Sequence, residues 1–307
     1  MILRKGWMLL KRKEVFGLIL GAVLILCSFV TVTPLAGEDA TELLVNPGFE
    51  EGTFKLPVGH AAAGLDMPKG WFMNWAYWGY AEVVKDPAVA HSGKQCLMVQ
   101  YRVDPERQKG YQYVNMCSDK IAVEYGKKYL VQIWVKGGKI GSPLEVAVYE
   151  YGKDRKNNGF GDISPLSPVN LSDKWQLYRA VYTPKLPELD KAIVWLTTYY
   201  EDTSPMWFDD ASVRIWDGRS LLERINDSAI EKERSDRIKE VSAKPTIKSK
   251  YLERLNRIYS QVDALKASLA KDASPEAEFE GSRKFDGLVK EHQTFSNDLK
   301  VDLIMVD

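Results

Sequence analysis

The 307-residue chain carries 42 basic and 42 acidic side chains and no formal net charge. Residues 1–36 hold five of the basic residues and one of the acidic, which leaves 37 against 41 for the rest. A mildly acidic remainder has no broad positive field, which argues against a nucleic-acid partner.

In chain order, Arg4, Lys5, Lys11, Arg12 and Lys13 precede or abut an apolar run from Val15 to Val32, diluted only by Ser28 and Thr31. A basic segment ahead of such a run reads as an export signal, and its length also suffices to span a bilayer. Two readings stand: a signal peptide cut after Ala36, which Pro34 fits poorly, or a retained membrane anchor. Residues 1–36 are set apart as this targeting segment, so the protein is expected to be secreted or held at the cell envelope. Cys27 belongs to the same segment. Cys96 and Cys117 fall on predicted strands and read as a disulfide, if those strands pair, or as two buried thiols.

Residues 41–217 contain eight of the nine Trp and thirteen of the fifteen Tyr. They open on Leu43–Gly52, an apolar strand running into an Asn-Pro-Gly turn and a carboxylate pair. An aromatic run follows from Trp71 to Tyr80. Strands are then predicted at Gln95–Val103, Gln112–Cys117, Tyr129–Gly137, Leu144–Tyr151, Trp175–Tyr182, Ala192–Tyr199 and Met206–Trp216, separated by turn clusters. Many short aromatic and β-branched strands at regular spacing predict a sandwich. In the last strand, alternation places Trp207, Asp209, Ala211 and Val213 on one face and Phe208, Asp210 and Ser212 on the other. Asp209 is thus expected among apolar neighbours, where a carboxylate needs a partner or a cation.

From Ser220 onward Lys, Glu, Arg, Leu and Ala dominate. Tyr251, Leu255, Ile258, Val262, Leu265 and Leu269 recur at alternating spacings of four and three, and Phe285, Leu288, His292, Phe295 and Leu299 continue the pattern. Residues 218–307 are predicted to be helical. They form either a two- or three-helix hairpin packed on itself or a short coiled coil through which two chains self-associate.

Several of these segments carry a family likeness in their order. Asn46–Gly52 with Gly70-Trp71, the His91–Lys94 turn leading into Cys96–Tyr101, Gly126–Tyr129 with the Trp-bearing Gln132–Val135, Trp175, and the Trp207–Val213 strand recur along Leu43 to Trp216. The chain resembles the carbohydrate-binding modules of the galactose-binding-like jelly-roll superfamily, especially families four, nine and twenty-two. The resemblance implies an all-β jelly-roll sandwich followed here by the α-helical C-terminal region. It also implies a structural calcium that ties the first and last strands, held by Glu50, Asp209 and the backbone of Lys94 in the His91–Lys94 turn. Hard cations take carboxylate and carbonyl oxygens, which suits that set.

A sugar surface is expected at the aromatic run. Ring faces stack on the axial C–H patches of sugars while polar side chains take the hydroxyls. The candidates are Trp75, Tyr77, Trp78 and Tyr80, with Asn74, Gln112, Tyr113 and Gln132 as polar partners. Trp71 reads as core. Catalysis has little support: His60, His91 and His292 show no metal-ligand spacing, and no nucleophile elbow or phosphate loop occurs. The sequence therefore reads as an exported, non-catalytic protein that binds polysaccharide or glycan. The alternative is a structural or adhesion module that binds protein, with the helices mediating assembly.

Overall fold

Short segments that alternate apolar and polar residues can each bury one face, and two sheets that share those faces are the solution. The computed structural model describes residues 41–55, 66–75, 79–101, 113–137, 144–153, 159–161, 171–199 and 204–306. Its strands are β1 (Thr53–Lys55), β2 (Asp66–Pro68), β3 (Trp71–Trp75), β4 (Gly79–Val84), β5 (Cys96–Tyr101), β6 (Tyr113–Ser118), β7 (Tyr129–Gly137), β8 (Leu144–Gly152), β9 (Gly159–Gly161), β10 (Gln176–Tyr182), β11 (Leu189–Tyr199) and β12 (Met206–Ile215). Among the described residues β3-β6-β11-β8-β9 form a first sheet, β10-β7-β12-β5-β4 a second, and β1-β2 a small ribbon, with antiparallel ladders throughout. Trp71, Met116, Val148 and Leu196 of the first sheet meet Leu97, Val99, Ile133, Val135, Phe208 and Val213 of the second in one apolar layer. The chain is an antiparallel sandwich with a helical C-terminal region.

Three expectations are corrected. The segment from Leu43 to Val45 is not a strand but a bent chain end, although Leu43 N–H still donates to the Val213 carbonyl at 2.9 Å. Asn46 (φ 52°) and Phe49 (φ 57°) hold left-handed backbone there, where Gly48 had been the natural candidate. The Asn46 side chain makes this possible by standing in for backbone partners: it accepts from Glu51 N–H at 2.8 Å and donates to the Glu51 and Lys69 carbonyls. Phe49 plugs the loop, fully buried against Trp71 at a ring-centroid distance of 5.0 Å.

The second correction concerns β12. Against β7, Asp209 pairs with Trp134 but the next pair is Ser212 with Gln132, so one extra residue is inserted and Asp210 takes φ 46°. Met206 and Phe208 face the core before this bulge, and Ala211 and Val213 after it. Asp209 therefore sits on the outer face with Trp207, not among the core residues. Thirdly, Cys96 is on β5 in the second sheet and Cys117 on β6 in the first, so the two are not opposed. Both are buried thiols, and burial pushes the Cys96 thiol up to about 12.

The helices are α1 (Leu221–Asn226), α2 (Ala229–Ala243), α3 (Pro245–Lys271) and α4 (Pro275–Val306). Ser220 and Glu223 close a reciprocal capping box at the start of α1, and Pro opens α3. The heptad residues of α3 and α4 are buried against each other and against α1 and α2 within the one chain, with Arg254–Asp298 and Arg257–Glu291 pairs along the edges. The apolar seam offered for chain-to-chain pairing is thus already occupied. No helix among the described residues is long and apolar enough to cross a membrane; the targeting segment lies outside the described residues.

The outer face of the second sheet is covered by α4. Arg214 of β12 donates to Asp286 at 2.6 Å and Ser282 at 3.0 Å, as well as to Glu42 at 3.2 Å. Arg179 of β10 pairs with Glu278 at 2.9 Å, and Phe279 packs edge-on against Trp134. That cover explains why Val131 to Val135 of β7 are buried on both faces of the strand.

Candidate functional site

Two clusters stand out, one at the strand ends and one on the outer face of the first sheet. At the strand ends the bulge turns both carboxylates of β12 toward the His91–Gln95 turn. Asp209, with no exposed surface, accepts from His91 N–H at 2.9 Å and Ser92 N–H at 3.2 Å. Asp210 takes the Ser92 hydroxyl at 3.0 Å, lies 2.7 Å from His91 Nδ1, and pairs with Arg283 of α4 at 2.8 Å. Glu50 reaches the same turn and accepts from Lys94 N–H at 2.7 Å and Gln95 N–H at 3.0 Å. Gln95 donates its side-chain amide to the Phe49 carbonyl.

The charges of the adjacent pair are pushed apart. Burial, and then the neighbouring Asp210 charge, raise Asp209 to about 7 against the pull of its N–H donors. Burial acts on Asp210 too, but the His91 hydrogen bond and the Arg283 guanidinium outweigh it and hold this carboxyl below the usual range. Asp209 is thus a fully buried carboxylate whose charge the protein's own donors compensate incompletely. Glu50 and Asp209 bring carboxylate oxygens from both ends of the sandwich to one turn, where backbone N–H groups occupy both Asp209 oxygens and Glu50 Oε1; carboxylates are the donor type a hard cation takes. Lys94 presents its N–H to Glu50 here. A neighbouring trio is formed by His91, Asp210 and Glu280, whose ligand atoms lie within 4.8 Å of one another. Glu280 enters from α4, some 70 positions beyond Asp210, so spacing along the sequence gave no sign of it.

The first sheet presents a second, aromatic cluster. Across its outer face Phe72, Cys117, Trp195 and Ala147 occupy one cross-strand row, and Asn115 and Thr197 lie in the next. Tyr149 stacks parallel on Trp195 with centroids 4.7 Å apart, and Tyr151 meets Tyr149 edge-on at 4.8 Å. Lys191 Nζ lies 5.0 Å from the centre of the Tyr151 ring. Asn115 donates to Thr197 Oγ1 at 3.2 Å, and both side chains are buried. The three rings are half-buried. On the second sheet the corresponding Trp residues are already engaged: His91 stacks on Trp134 at 3.9 Å, and Lys136 Nζ lies near both Trp175 and Trp207.

The residues expected to bind sugar divide between the sheets. The backbone of Trp75 pairs with Asn115 at the edge of the first sheet, next to the bulge that holds Asn74, and Tyr113 pairs with Tyr199 on the same sheet. Tyr77, Trp78 and Gln112 lie outside the described residues. Tyr80 is on β4 in the second sheet, its hydroxyl 2.8 Å from Glu82. Gln132 is buried on the outer face of that sheet, beside the Arg214 contact with α4. Among the described residues, Trp75 thus stands on the first sheet and Tyr80 on the second. Tyr149, Tyr151 and Trp195 were missed as a group, since only strand register brings them together.

Residues 41–204, more than half of the chain, match the carbohydrate binding domain of families 4 and 9. No curated protein matches by sequence. Among solved structures, a family 22 xylan-binding domain from Paenibacillus barcinonensis is 14% identical with a TM-score of 0.40, covering 60% of this chain and 97% of its own. A Clostridium thermocellum endo-1,4-beta-D-xylanase with its family 22 module, complexed with xylohexaose, is 14% identical with a TM-score of 0.39, and the match covers 61% of this chain and 31% of that one. A cyclase from Fischerella sp. TAU is also 14% identical at 0.39, covering 57% and 98%. At such scores the individual likenesses add nothing to the family match. By that match the chain belongs to the carbohydrate binding domain family.

Proposed function

We propose that the protein is an exported, non-catalytic binder of polysaccharide that takes its ligand on the outer face of the first sheet. The observation that carries this is the Tyr149–Trp195 stack, with Tyr151 beside it and the Asn115–Thr197 pair alongside. Such a surface offers half-buried ring faces for sugar C–H patches, over a buried Asn115–Thr197 pair that supports the sheet beneath them. Trp75 and Tyr113, on strands β3 and β6 of the same sheet, extend the candidate set. The second sheet is the poorer choice because α4 and the His91 turn cover its outer face. Titration calorimetry with soluble polysaccharides tests the reading, with affinities expected in roughly the micromolar to millimolar range. Tyr149→Ala and Trp195→Ala should weaken binding at least tenfold, while Tyr80→Ala on the other sheet should not. Unchanged binding in folded Tyr149→Ala and Trp195→Ala would move the site elsewhere, and no binding to any glycan would favour a protein partner.

A calcium ion at Glu50 and Asp209 is the second part of the proposal. When bound, the ion would supply positive charge at a buried carboxylate and join the first turn of the sandwich to its last strand. The chain's own contribution is the bulge that aims Asp209 at the turn and the Glu50 contact that closes it. This role is structural, since binding energy at such a site adds to folding stability. Export follows from the basic and apolar N-terminal segment.

A further inference from the structure

A cleft opens where the outer face of the second sheet meets α1 and α4. It is shallow, partly open to solvent, and lined by Gln132, Arg179, Arg214, Arg219, Arg224 and Glu278 among others. Three of its four guanidinium groups have carboxylate partners. Arg179 pairs with Glu278 at 2.9 Å, Arg214 with Glu42 and Asp286, and Arg219 with Asp217 and Asp227. Arg224 makes no ion pair among the described residues, and its Nε is buried without a hydrogen-bond acceptor. Burial, with the nearby Arg214 charge adding to it against the pull of Asp217, depresses the Arg224 pKa. Arg224 is half-buried overall, and a buried guanidinium N–H left without an acceptor is unfavourable, while the planar fork matches two oxygens of one anion.

We propose that this cleft binds a small oxyanion, a carboxylate, sulfate or phosphate group, on the guanidinium of Arg224. Gln132, nearly buried, is also part of the lining. The carboxylates at the cleft do not fill the role, because Glu278 and Asp217 are held by Arg179 and Arg219. The site lies against the second sheet and so is independent of the glycan face on the first. Its occupant has one chemistry but two sources: a free inorganic anion, or the carboxylate of an acidic sugar.

Thermal unfolding of the purified protein at constant ionic strength separates them, with chloride replaced in turn by sulfate, phosphate or glucuronate. A saturable rise in melting temperature of roughly 2–4 °C is expected for the anion that binds. Sulfate or phosphate alone would identify an inorganic anion, and glucuronate a sugar acid. Arg224→Gln should abolish the rise, whereas Arg257→Gln, on the exposed face of α3, should leave it intact. Arg224→Lys keeps the charge but loses the fork, and should weaken the response at least tenfold in concentration; it also serves if the Gln variant does not fold. No anion exceeding chloride, or an undiminished response in Arg224→Gln or Arg224→Lys, overturns the proposal.

Discussion

Replacing Arg214 with Met would test whether the helices are anchored to the sandwich by this one side chain. Arg214 is largely buried and donates to three groups from two segments: Glu42 before the sandwich, and Ser282 and Asp286 on α4. Methionine keeps much of the apolar stem and removes the charge, so the loss isolates the electrostatic part. Breaking a fully buried pair costs about 3–5 kcal/mol because the abandoned charge stays desolvated. Glu42 and Asp286 keep about a fifth of their surface in water, so the expected loss is smaller, about 2–4 kcal/mol. Burial already raises the Asp286 carboxyl even with Arg214 present, so that group would protonate more readily once the guanidinium is gone. For a chain of this size the loss corresponds to a fall of roughly 5–15 °C in melting temperature. Urea unfolding followed by circular dichroism gives the free energy directly. The comparison is Arg257→Gln, which removes a more exposed pair with Glu291 worth at most about 1 kcal/mol. If Arg214→Met loses no more than Arg257→Gln, the docking of α4 rests on packing and the argument fails.

Gly93 has φ 67°, and a Cβ there would collide with the Glu50 carboxylate; Gly93→Ala should cost about 1–3 kcal/mol in thermal unfolding, and a neutral result would mean Glu50 does not close the turn. If calcium binds at Glu50 and Asp209, a hundredfold excess over its dissociation constant should stabilise the protein by about 2.7 kcal/mol. Asp209→Asn should erase that response, and melting curves identical with calcium and with chelator would leave the carboxylates as hydrogen-bond acceptors only. His292 lies buried among Tyr259 and Phe295, with Glu233 favouring its charge and Arg237 opposing it. Burial holds its pKa below the ordinary 6.5, so the unfolded chain takes up the proton first. The His292 contribution is therefore full above about pH 6.5 and falls on acidification until the folded pKa is reached, by at most about 1.4 kcal/mol per pH unit, opposite in sign to that of Asp209, which is lost as pH rises toward 7. His292→Leu should flatten that slope in urea titrations at pH 5 to 8, and an unchanged slope would refute the assignment.

The strands were legible because their apolar residues alternate, and seven predicted ranges coincide with observed strands to within about two residues at most ends. The helical seam was legible for the same reason at a different period. What could not be read was phase. A single inserted residue at Asp210 moves Asp209 from the expected inner face to the outer one, and alternation carries no mark of a bulge. The aromatic run spans two strands of different sheets, Trp75 ending β3 in the first and Gly79 opening β4 in the second, a change that the residue types do not mark. Glu50, Asp209 and the His91 turn did come together as the resemblance implied, since they mark the two ends of the sandwich. Arg283 and Glu280 were invisible because a helix outside the family's span delivers them.

That delivery gives the bulge two jobs that bear on the ligand face. Asp209 accepts the N–H groups of the turn and Asp210 accepts Arg283, so one irregularity in the middle of β12 bears on both the closure of the sandwich and the approach of α4. A regular strand would point adjacent carboxylates to opposite faces and could serve only one of these partners. Once α4 is seated, Trp134 is covered by Phe279 and His91, and Arg214 is taken by Asp286. The second sheet then has little outer surface left for a long polymer. The Tyr149–Trp195 face carries no helix of its own among the described residues, so by occupying the second sheet the helical region supports the proposal that the ligand is taken on the first.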